Sequence, residues 1–211
     1  SMMTLRYGRW LAVVVVGLIL SACDDGGDGG ESHDFGSNDP NTVVALGDSI
    51  TAGYPGGLVP YPAILSSMIA KRVINAGVSG NTSGEAAARA SALLSRHRPG
   101  YLLILVGSND AILGLSPDQT IARIRGVIGL ARSRQTIPIV ATIPPMFGSH
   151  AIFNGRVPGL NQAIRDLAKA EKVRVVDLER ALNDETLFLP DGLHPNQEGH
   201  QKIATAFANA F

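Results

Sequence analysis

Residues 42–49, with the sequence TVVALGDS, form a continuous apolar run that stops at Gly-Asp-Ser. A short apolar run that ends in turn-forming residues is typical of a strand buried on both faces of a sheet. Four similar runs follow, and they predict further strands at residues 72–75, 101–106, 137–143 and 173–176. The stretch 42–49 is therefore the predicted first strand of a buried, parallel sheet.

Segments with helical spacing of their apolar residues separate the predicted strands. The predicted helices are residues 61–70, 83–96, 118–134, 157–171 and 197–210, and Ser83 is a candidate N-cap. Strands that alternate with helices form a parallel sheet covered on both faces, and right-handed crossovers restrict its topology. The expected fold class is α/β, a three-layer doubly wound (flavodoxin-like) sheet of about five parallel strands with helices on both faces.

The N-terminal residues have the composition of an export signal. Arg6 and Arg9 precede an apolar run of 11 residues at 10–20, shorter than the roughly 20 residues of a membrane-spanning helix. The run ends in Leu-Ser-Ala-Cys at residues 20–23, which resembles the cleavage box of bacterial lipoproteins. This resemblance implies a lipoprotein signal peptide of residues 1–22 and a lipid on Cys23, the single cysteine. The alternative is a chance cysteine beside an ordinary signal peptide.

The sequence between this signal and the first strand is rich in Gly, Asp, Ser and Asn, so residues 23–41 are predicted to be a flexible tether. The domain is then residues 42–211, on an exported, membrane-anchored lipoprotein at the periplasmic or cell-surface side. The chain carries 18 basic and 18 acidic residues with no basic run in the domain, which argues against a nucleic-acid partner. No His, Cys and Asp cluster has ligand spacing, so neither a metal nor another cofactor is predicted.

Polar clusters follow the predicted strands. Residues 47–49, 77–81 and 107–110 come after the first three strands, and residues 191–195 precede the last helix. Each cluster alone has a structural explanation, because Asp and Ser cap helices while Asn, Asp and Gly form turns. Ligands bind at the carboxyl ends of strands in a doubly wound sheet. The four clusters together therefore predict one site at that edge.

The four clusters, in this order, resemble the sequence blocks of the SGNH hydrolases, also called GDSL-type esterases or lipases. The resemblance covers the chain from Val43 to about Ile203 and is strongest to the bacterial thioesterase, lysophospholipase and arylesterase sub-group. Ile50 replaces the leucine of the family name, and Ser108 occupies a variable position. The blocks read GDSITAGY at 47–54, NAGVSGNTS at 75–83, GSND at 107–110 and DGLHPN at 191–196.

The resemblance implies a role for each candidate site residue. Ser49 is the expected nucleophile, His194 its base, and Asp191 the carboxylate that orients the imidazole. The expected oxyanion-hole donors are the backbone N–H groups of Ser49 and Gly80 and the side-chain amide of Asn109. This set suits acyl transfer, since a serine hydroxyl needs an adjacent base and the developing oxyanion needs donors.

Other polar residues near these blocks receive structural or secondary roles. Asp48 and Asp110 are expected to hold loops through hydrogen bonds. His150 lies in a loop after a strand and is the one competing base that could approach the site; the others are His33, His97 and His200. The long connection 144–158 contains Met and Phe side chains, which are either a packed surface loop or a wall or lid for an acyl chain.

The expected function is a serine esterase that acts on short to medium acyl esters, with thioesterase or lysophospholipase activity as further options. An O-acetyl esterase acting on acetylated glycans is the alternative within the enzymes, because the resemblance extends to hydrolases that remove acetyl groups. A binding lipoprotein without activity is an alternative of another class. The expected partners are a small acyl-ester substrate and, through Cys23, a membrane.

Overall fold

The sheet has five strands, all parallel, in the order β2-β1-β3-β4-β5. The computed structural model describes residues 33–211. The strands are β1 (Asp39–Gly47), β2 (Arg72–Gly77), β3 (Pro99–Leu105), β4 (Ile137–Ala141) and β5 (Arg174–Val176). This order is that of flavodoxin-like sheets, so the predicted fold class is confirmed.

The central strands are the apolar ones. Residues 43–46 of β1 are completely buried, and their side chains alternate between the two faces of the sheet. Val44 and Leu46 belong to the core on one face, whereas Val43 and Ala45 belong to the core on the other. A strand covered on both faces needs apolar side chains at every position, which explains the unbroken run.

Helices cover both faces. The α-helices are α1 (Ser49–Ala52), α2 (Tyr61–Ile69), α3 (Ser83–His97), α4 (Ser108–Leu113), α5 (Pro117–Ser133), α6 (Val157–Glu171), α7 (Leu178–Ala181) and α8 (Gln197–Ala208). Buried side chains of α3, α5 and α6 form one core with the sheet, and those of α2 and α8 form the other. Two 3-10 segments, Gly148–Arg156 and Glu185–Leu187, lie before α6 and α8.

The N-terminus of α3 differs from the prediction by one residue. Thr82, not Ser83, is the N-cap, and Thr82 forms a capping box with Glu85. Both residue types suit the position. Ser83 is instead the first helical residue, and its backbone N–H and hydroxyl both donate to the buried carboxylate of Asp110.

The predicted tether extends too far toward the domain. β1 begins at Asp39, and the Phe35 ring packs against the ring of Tyr101 with 5.5 Å between centroids. The Asn38 side-chain amide donates to the Arg134 carbonyl at 2.6 Å. Residues 39–41 are polar because the strand begins exposed to solvent, and their composition therefore resembles a linker.

The remaining predictions about the N-terminus, namely the signal peptide of residues 1–22, lipidation of Cys23 and most of the tether, lie outside the described residues. Within residues 33–211, no helix is long and apolar enough to cross a membrane. The same part of the chain contains no group of three or more His, Cys, Asp or Glu residues placed to hold a metal ion.

Candidate active site

The candidate residues meet at the carboxyl edge of the sheet, where the helices that follow the neighbouring strands β1 and β3 pack on opposite faces. Ser49 is the first residue of α1, directly after β1, and Asn109 lies in the first turn of α4, after β3. Gly80 lies in the loop after β2, and His194 lies in the turn before α8. Such a switch point of the strand order is where doubly wound sheets bind ligands.

The side chains of Ser49, His194 and Asp191 form a hydrogen-bonded row. The Ser49 hydroxyl Oγ lies 2.9 Å from Nε2 of His194. On the other side of the ring, Nδ1 of His194 lies 2.6 Å from Oδ2 of Asp191. Ser49 and His194 are almost completely buried, at 8% and 9% exposure. The arrangement lets the imidazole accept the hydroxyl proton at Nε2 while its Nδ1–H donates to the carboxylate.

The turn that carries Asp191 and His194 is held by its own backbone. Oδ1 of Asp191 accepts from the backbone N–H groups of Leu193, at 2.9 Å, and His194, at 3.0 Å. Gly192 has a φ of +70°, and a Cβ there would meet the Phe147 carbonyl oxygen at 2.0 Å. Only glycine fits both the left-handed conformation and this close approach. The dipeptide Asp-Gly is thus a structural part of the site.

The Asp191 carboxyl is held in its ionised form. Burial opposes ionisation, but the hydrogen bonds from the His194 ring and from the backbone N–H groups of His194 and Leu193 outweigh it and lower the Asp191 pKa. The carbonyl of Asp191 is also occupied, since Nδ1 of His150 lies 2.7 Å from it. His150, the competing base considered from the sequence, therefore contacts the backbone of the turn and makes no hydrogen bond to Ser49.

The candidate oxyanion donors lie on three neighbouring loops. Ser49 is the first residue of α1, and a backbone N–H in the first turn of a helix has no partner within that helix. Gly80 has a φ of +81° and open space where a Cβ would be. This left-handed conformation favours glycine at the position. The Asn109 amide donates one hydrogen to the Asn81 carbonyl at 2.9 Å, which leaves its second N–H for another acceptor.

Asp48 and Asp110 are completely buried behind these loops. Oδ1 of Asp48 accepts from the Ile50 backbone N–H at 3.0 Å and caps α1. Asp110 accepts from Ser83 and from the Thr120 hydroxyl. Their hydrogen bonds are made to residues in the first turns of α1, α3 and α5.

Two buried titratable groups flank the row of three side chains. Burial raises the pKa of Asp48 to about 7 against its hydrogen bonds, and the charge of Asp110 adds to the increase. His200, on α8, accepts the Tyr61 backbone N–H at Nδ1, and burial together with the nearby His194 lowers the His200 pKa to about 4. Burial therefore shifts both groups toward their neutral forms.

An apolar region lies beside α4, the helix that carries Asn109. A cavity of about 350 Å³ is lined by the loop after α4, including Leu115, and by the start of α6, including Leu160. Ile152 in the segment Gly148–Arg156 is 80% exposed, and Leu113 at the end of α4 is 65% exposed. The Tyr54 ring packs on the His194 ring with 4.7 Å between centroids. Tyr54 ends the first sequence block, but the sequence did not indicate its contact with His194, which lies far from it in the chain.

A doubly wound sheet with a Ser-His-Asp row at its switch point is an arrangement suited to hydrolysis of acyl compounds. Comparison with known proteins gives the family. The sequence profile of the GDSL-like Lipase/Acylhydrolase family matches residues 45–202. The chain therefore belongs to this family, and it is a carboxylic ester hydrolase.

Characterised relatives and a solved structure agree with this assignment. The chain is 30% identical over 175 residues to thioesterase 1/protease 1/lysophospholipase L1 of Escherichia coli (strain K12), covering 78% of this chain and 80% of that protein. It is 28% identical to the arylesterase of Vibrio mimicus, with 77% and 84% covered. The crystal structure of the lipase/acylhydrolase from Enterococcus faecalis matches with a TM-score of 0.72 and 25% identity, covering 80% of this chain and 93% of that one.

Proposed function

We propose that the protein is a serine esterase that cleaves short to medium acyl esters through an acyl-enzyme. In this proposal Ser49 is the nucleophile, His194 the general base and Asp191 the residue that fixes the imidazole. The observation that carries the proposal is the 2.9 Å contact between the Ser49 hydroxyl and a His194 ring whose other nitrogen is bound by Asp191. A serine needs such a base to attack a carbonyl carbon at neutral pH.

Acylation follows from this geometry. Nε2 of His194 takes the hydroxyl proton as Ser49 Oγ bonds to the carbonyl carbon, and the carbonyl oxygen becomes an oxyanion. The N–H groups of Ser49, Gly80 and Asn109 are the donors we assign to it. When the tetrahedral intermediate collapses, the carbon–oxygen bond to the alcohol breaks, and the imidazolium gives its proton to the departing oxygen.

In deacylation, water takes the place of the serine hydroxyl as the attacking group. His194 removes a proton from a water molecule as the water oxygen bonds to the acyl carbon of the ester on Ser49. Collapse of the second intermediate breaks the bond to Oγ, and the proton on Nε2 returns to the serine. The carboxylic acid leaves, and Ser49 and His194 return to their starting protonation states without a cofactor.

The preference for acyl chains rests on the apolar cavity beside α4, the helix that carries Asn109. We assign the acyl group to the region of the cavity near α4 and the exposed Ile152 and Leu113. The similar proteins include a thioesterase and lysophospholipase and an arylesterase. Acyl thioesters and lysophospholipids are therefore further candidate substrates of this chain.

The test compares Ser49→Ala with Ser133→Ala, a control serine on the exposed face of α5. Ser49→Ala should lower kcat on p-nitrophenyl butyrate on the order of 10⁴- to 10⁶-fold with an unchanged unfolding midpoint. Ser133→Ala should keep full activity. If Ser49→Ala hydrolyses the ester as fast as the control, the nucleophile is another residue and the proposal is wrong.

A series of p-nitrophenyl esters from acetyl to palmitoyl, with matching acyl-CoA thioesters, tests the substrate class. The proposal predicts the highest kcat/KM at short to medium chains. Activity confined to the acetyl ester would instead favour an O-acetyl esterase acting on acetylated glycans.

We further propose that the enzyme is exported and anchored to a membrane through a lipid on Cys23. Its support is the sequence of residues 1–23. A Cys23→Ala variant in the native host should move from the membrane fraction to the soluble fraction. Unchanged association with the membrane, or absence of lipid on the wild-type Cys23 by mass spectrometry, would exclude this anchor.

A further inference from the structure

Arg89 on α3 joins three segments of the chain at the active-site edge. Its Nε donates to the side-chain oxygen of Asn81 at 3.0 Å. Nη1 donates to the Ala76 carbonyl at 3.0 Å, and Nη2 donates to the Gly47 carbonyl at 3.2 Å. The guanidinium is half-buried and reaches the ends of two strands and one loop.

Two of these three acceptors lie within two residues of a proposed oxyanion donor, and the third, the Ala76 carbonyl, lies near the end of β2, four residues before Gly80. Gly47 lies two residues before Ser49, where β1 ends. Asn81 follows Gly80, and its carbonyl accepts the amide hydrogen of Asn109 at 2.9 Å. One side chain is therefore connected to the three loops that carry the donors, through Gly47 on one side and through Asn81 on the other.

An arginine suits this position for a physical reason. The guanidinium is planar, always charged and carries five N–H donors in a fixed fork, so it can hold three acceptors at set angles. A lysine has a single ammonium on a flexible stem and cannot reproduce that geometry. Without the guanidinium, the carbonyl of Ala76 and the amide oxygen of Asn81 lose a charged donor in a partly buried place.

We propose that Arg89 is a positioning residue that keeps the donors of Gly80 and Asn109 in register with Ser49. The inference rests on the proposed function, because it assigns the role of these loops in the same reaction. Arg89 lies behind the loops and contacts no substrate in this proposal. Since oxyanion bonds are made chiefly in the transition state, displacement of the donors should reduce kcat more than it raises KM.

The first experiment compares Arg89→Met and Arg89→Lys with Arg165→Met. Arg165 is the matched control, a partly buried arginine on α6 that binds Asp177 and Glu179 away from the site. With p-nitrophenyl butyrate, Arg89→Met should lower kcat about 10- to 100-fold and change KM less than about twofold, the size of a weakened oxyanion hole. Arg89→Lys should fall between this variant and wild type, and Arg165→Met should match wild type.

The second experiment combines Arg89→Met with Asn109→Ala. If Arg89 acts through the loop that holds Asn109, the double variant should lose clearly less than the product of the two single losses in kcat. A boronic acid that forms a tetrahedral adduct on Ser49 gives an independent measure. Its affinity should fall in Arg89→Lys by the same factor as kcat/KM, and this variant keeps a cation in place.

Specific outcomes overturn the proposal. They are an Arg89→Met kcat equal to that of Arg165→Met, a change in KM alone, a double loss equal to the full product, or unchanged boronic acid affinity in Arg89→Lys. If Arg89→Met does not fold, the Arg89→Lys kinetics and boronic acid affinity decide. If one of these outcomes is found while Ser49→Ala is inactive, only the proposed role of Arg89 is wrong. Full activity of Ser49→Ala would remove the proposed function itself.

Discussion

Two regions face the same site and are built in different ways. The proposed catalytic turn, residues 189–196, is closed by hydrogen bonds between Leu189 and His194 and between Gly192 and Leu189, and Phe147 donates to its Gly192 carbonyl. The adjoining segment Gly148–Arg156, whose His150 contacts the Asp191 carbonyl, has no buried residue among its nine, and its Ile152 is 80% exposed. The difference matches the roles that we propose: the turn holds catalytic side chains in place, and the segment contacts the acyl chain. A turn whose polar groups are satisfied keeps its geometry, whereas an exposed segment tolerates changes in sequence.

The largest effect should come from Asp191→Asn in the catalytic turn. The amide cannot hold the imidazole in the tautomer that accepts the serine proton, so kcat should fall on the order of 10⁴-fold. The measurement is steady-state hydrolysis of p-nitrophenyl butyrate.

Asp166→Asn on the exposed face of α6 is the control, because its carboxylate accepts a hydrogen bond from Gln162 on the same helix. It should keep full activity. A kcat of Asp191→Asn within about tenfold of that control would break the comparison, since the turn would then lack the role that we give it.

A smaller effect concerns the helix that follows the turn. The His200 pKa is lowered to about 4 in the folded protein, against about 6.5 in the unfolded chain. Below pH 6.5 His200 is protonated in the unfolded state but not in the folded state, so the free energy of unfolding falls as the pH drops toward 4. The loss between pH 7.5 and 5 should be about 2 kcal/mol. Above pH 7 this group contributes no pH dependence.

Urea unfolding of wild type and His200→Asn at both pH values measures the contribution of His200 to the pH dependence of the free energy of unfolding. Asp48 acts in the opposite direction, because its pKa is raised to about 7 and protonation at lower pH stabilises the folded state. The wild-type curve therefore contains both effects, and the difference between the two proteins carries that of His200. Equal pH dependence in wild type and His200→Asn would show that the buried histidine does not set acid stability.

The smallest effect should come from the exposed segment. Ile152→Ser should raise KM for p-nitrophenyl octanoate by about two- to fivefold, because contact with one apolar side chain is worth on the order of 1 kcal/mol or less when the side chain is mostly exposed. The kcat and KM for p-nitrophenyl acetate should not change. Val175→Ser, an exposed valine in β5, is the control. A loss of kcat on both esters would mean that the segment takes part in the chemistry and would narrow the contrast between the two regions.

The sequence indicated the fold well where physical constraints act on adjacent residues. The buried strand β1 needs an apolar side chain at each position, so its run was visible, and the confirmed fold follows from the alternation of such runs with helices. Its polar start at residues 39–41 was missed because a strand end exposed to solvent has the composition of a linker. Thr82 and Ser83 are both good caps, so spacing could not choose between them.

The candidate site was predictable only in part, because the sequence shows side-chain types but not contacts to the backbone. Ser49, Asp191 and His194 carry chemistry in their side chains, and the order of the blocks indicated that they meet. Arg89 was missed because its partners include backbone carbonyls of Gly47 and Ala76, which leave no trace in residue type. A single arginine between the buried Ala86 and Ala90 of α3 was the available signal.

The central claim is that Ser49 is the nucleophile, and an active-site label tests it most directly. The wild-type enzyme is treated with a fluorophosphonate, and the adduct is located by peptide mass spectrometry while esterase activity is followed. We predict one phosphonate per chain, on Ser49, with loss of activity in proportion to labelling. A stoichiometric adduct on another residue, or complete inactivation with Ser49 unmodified, would contradict the account.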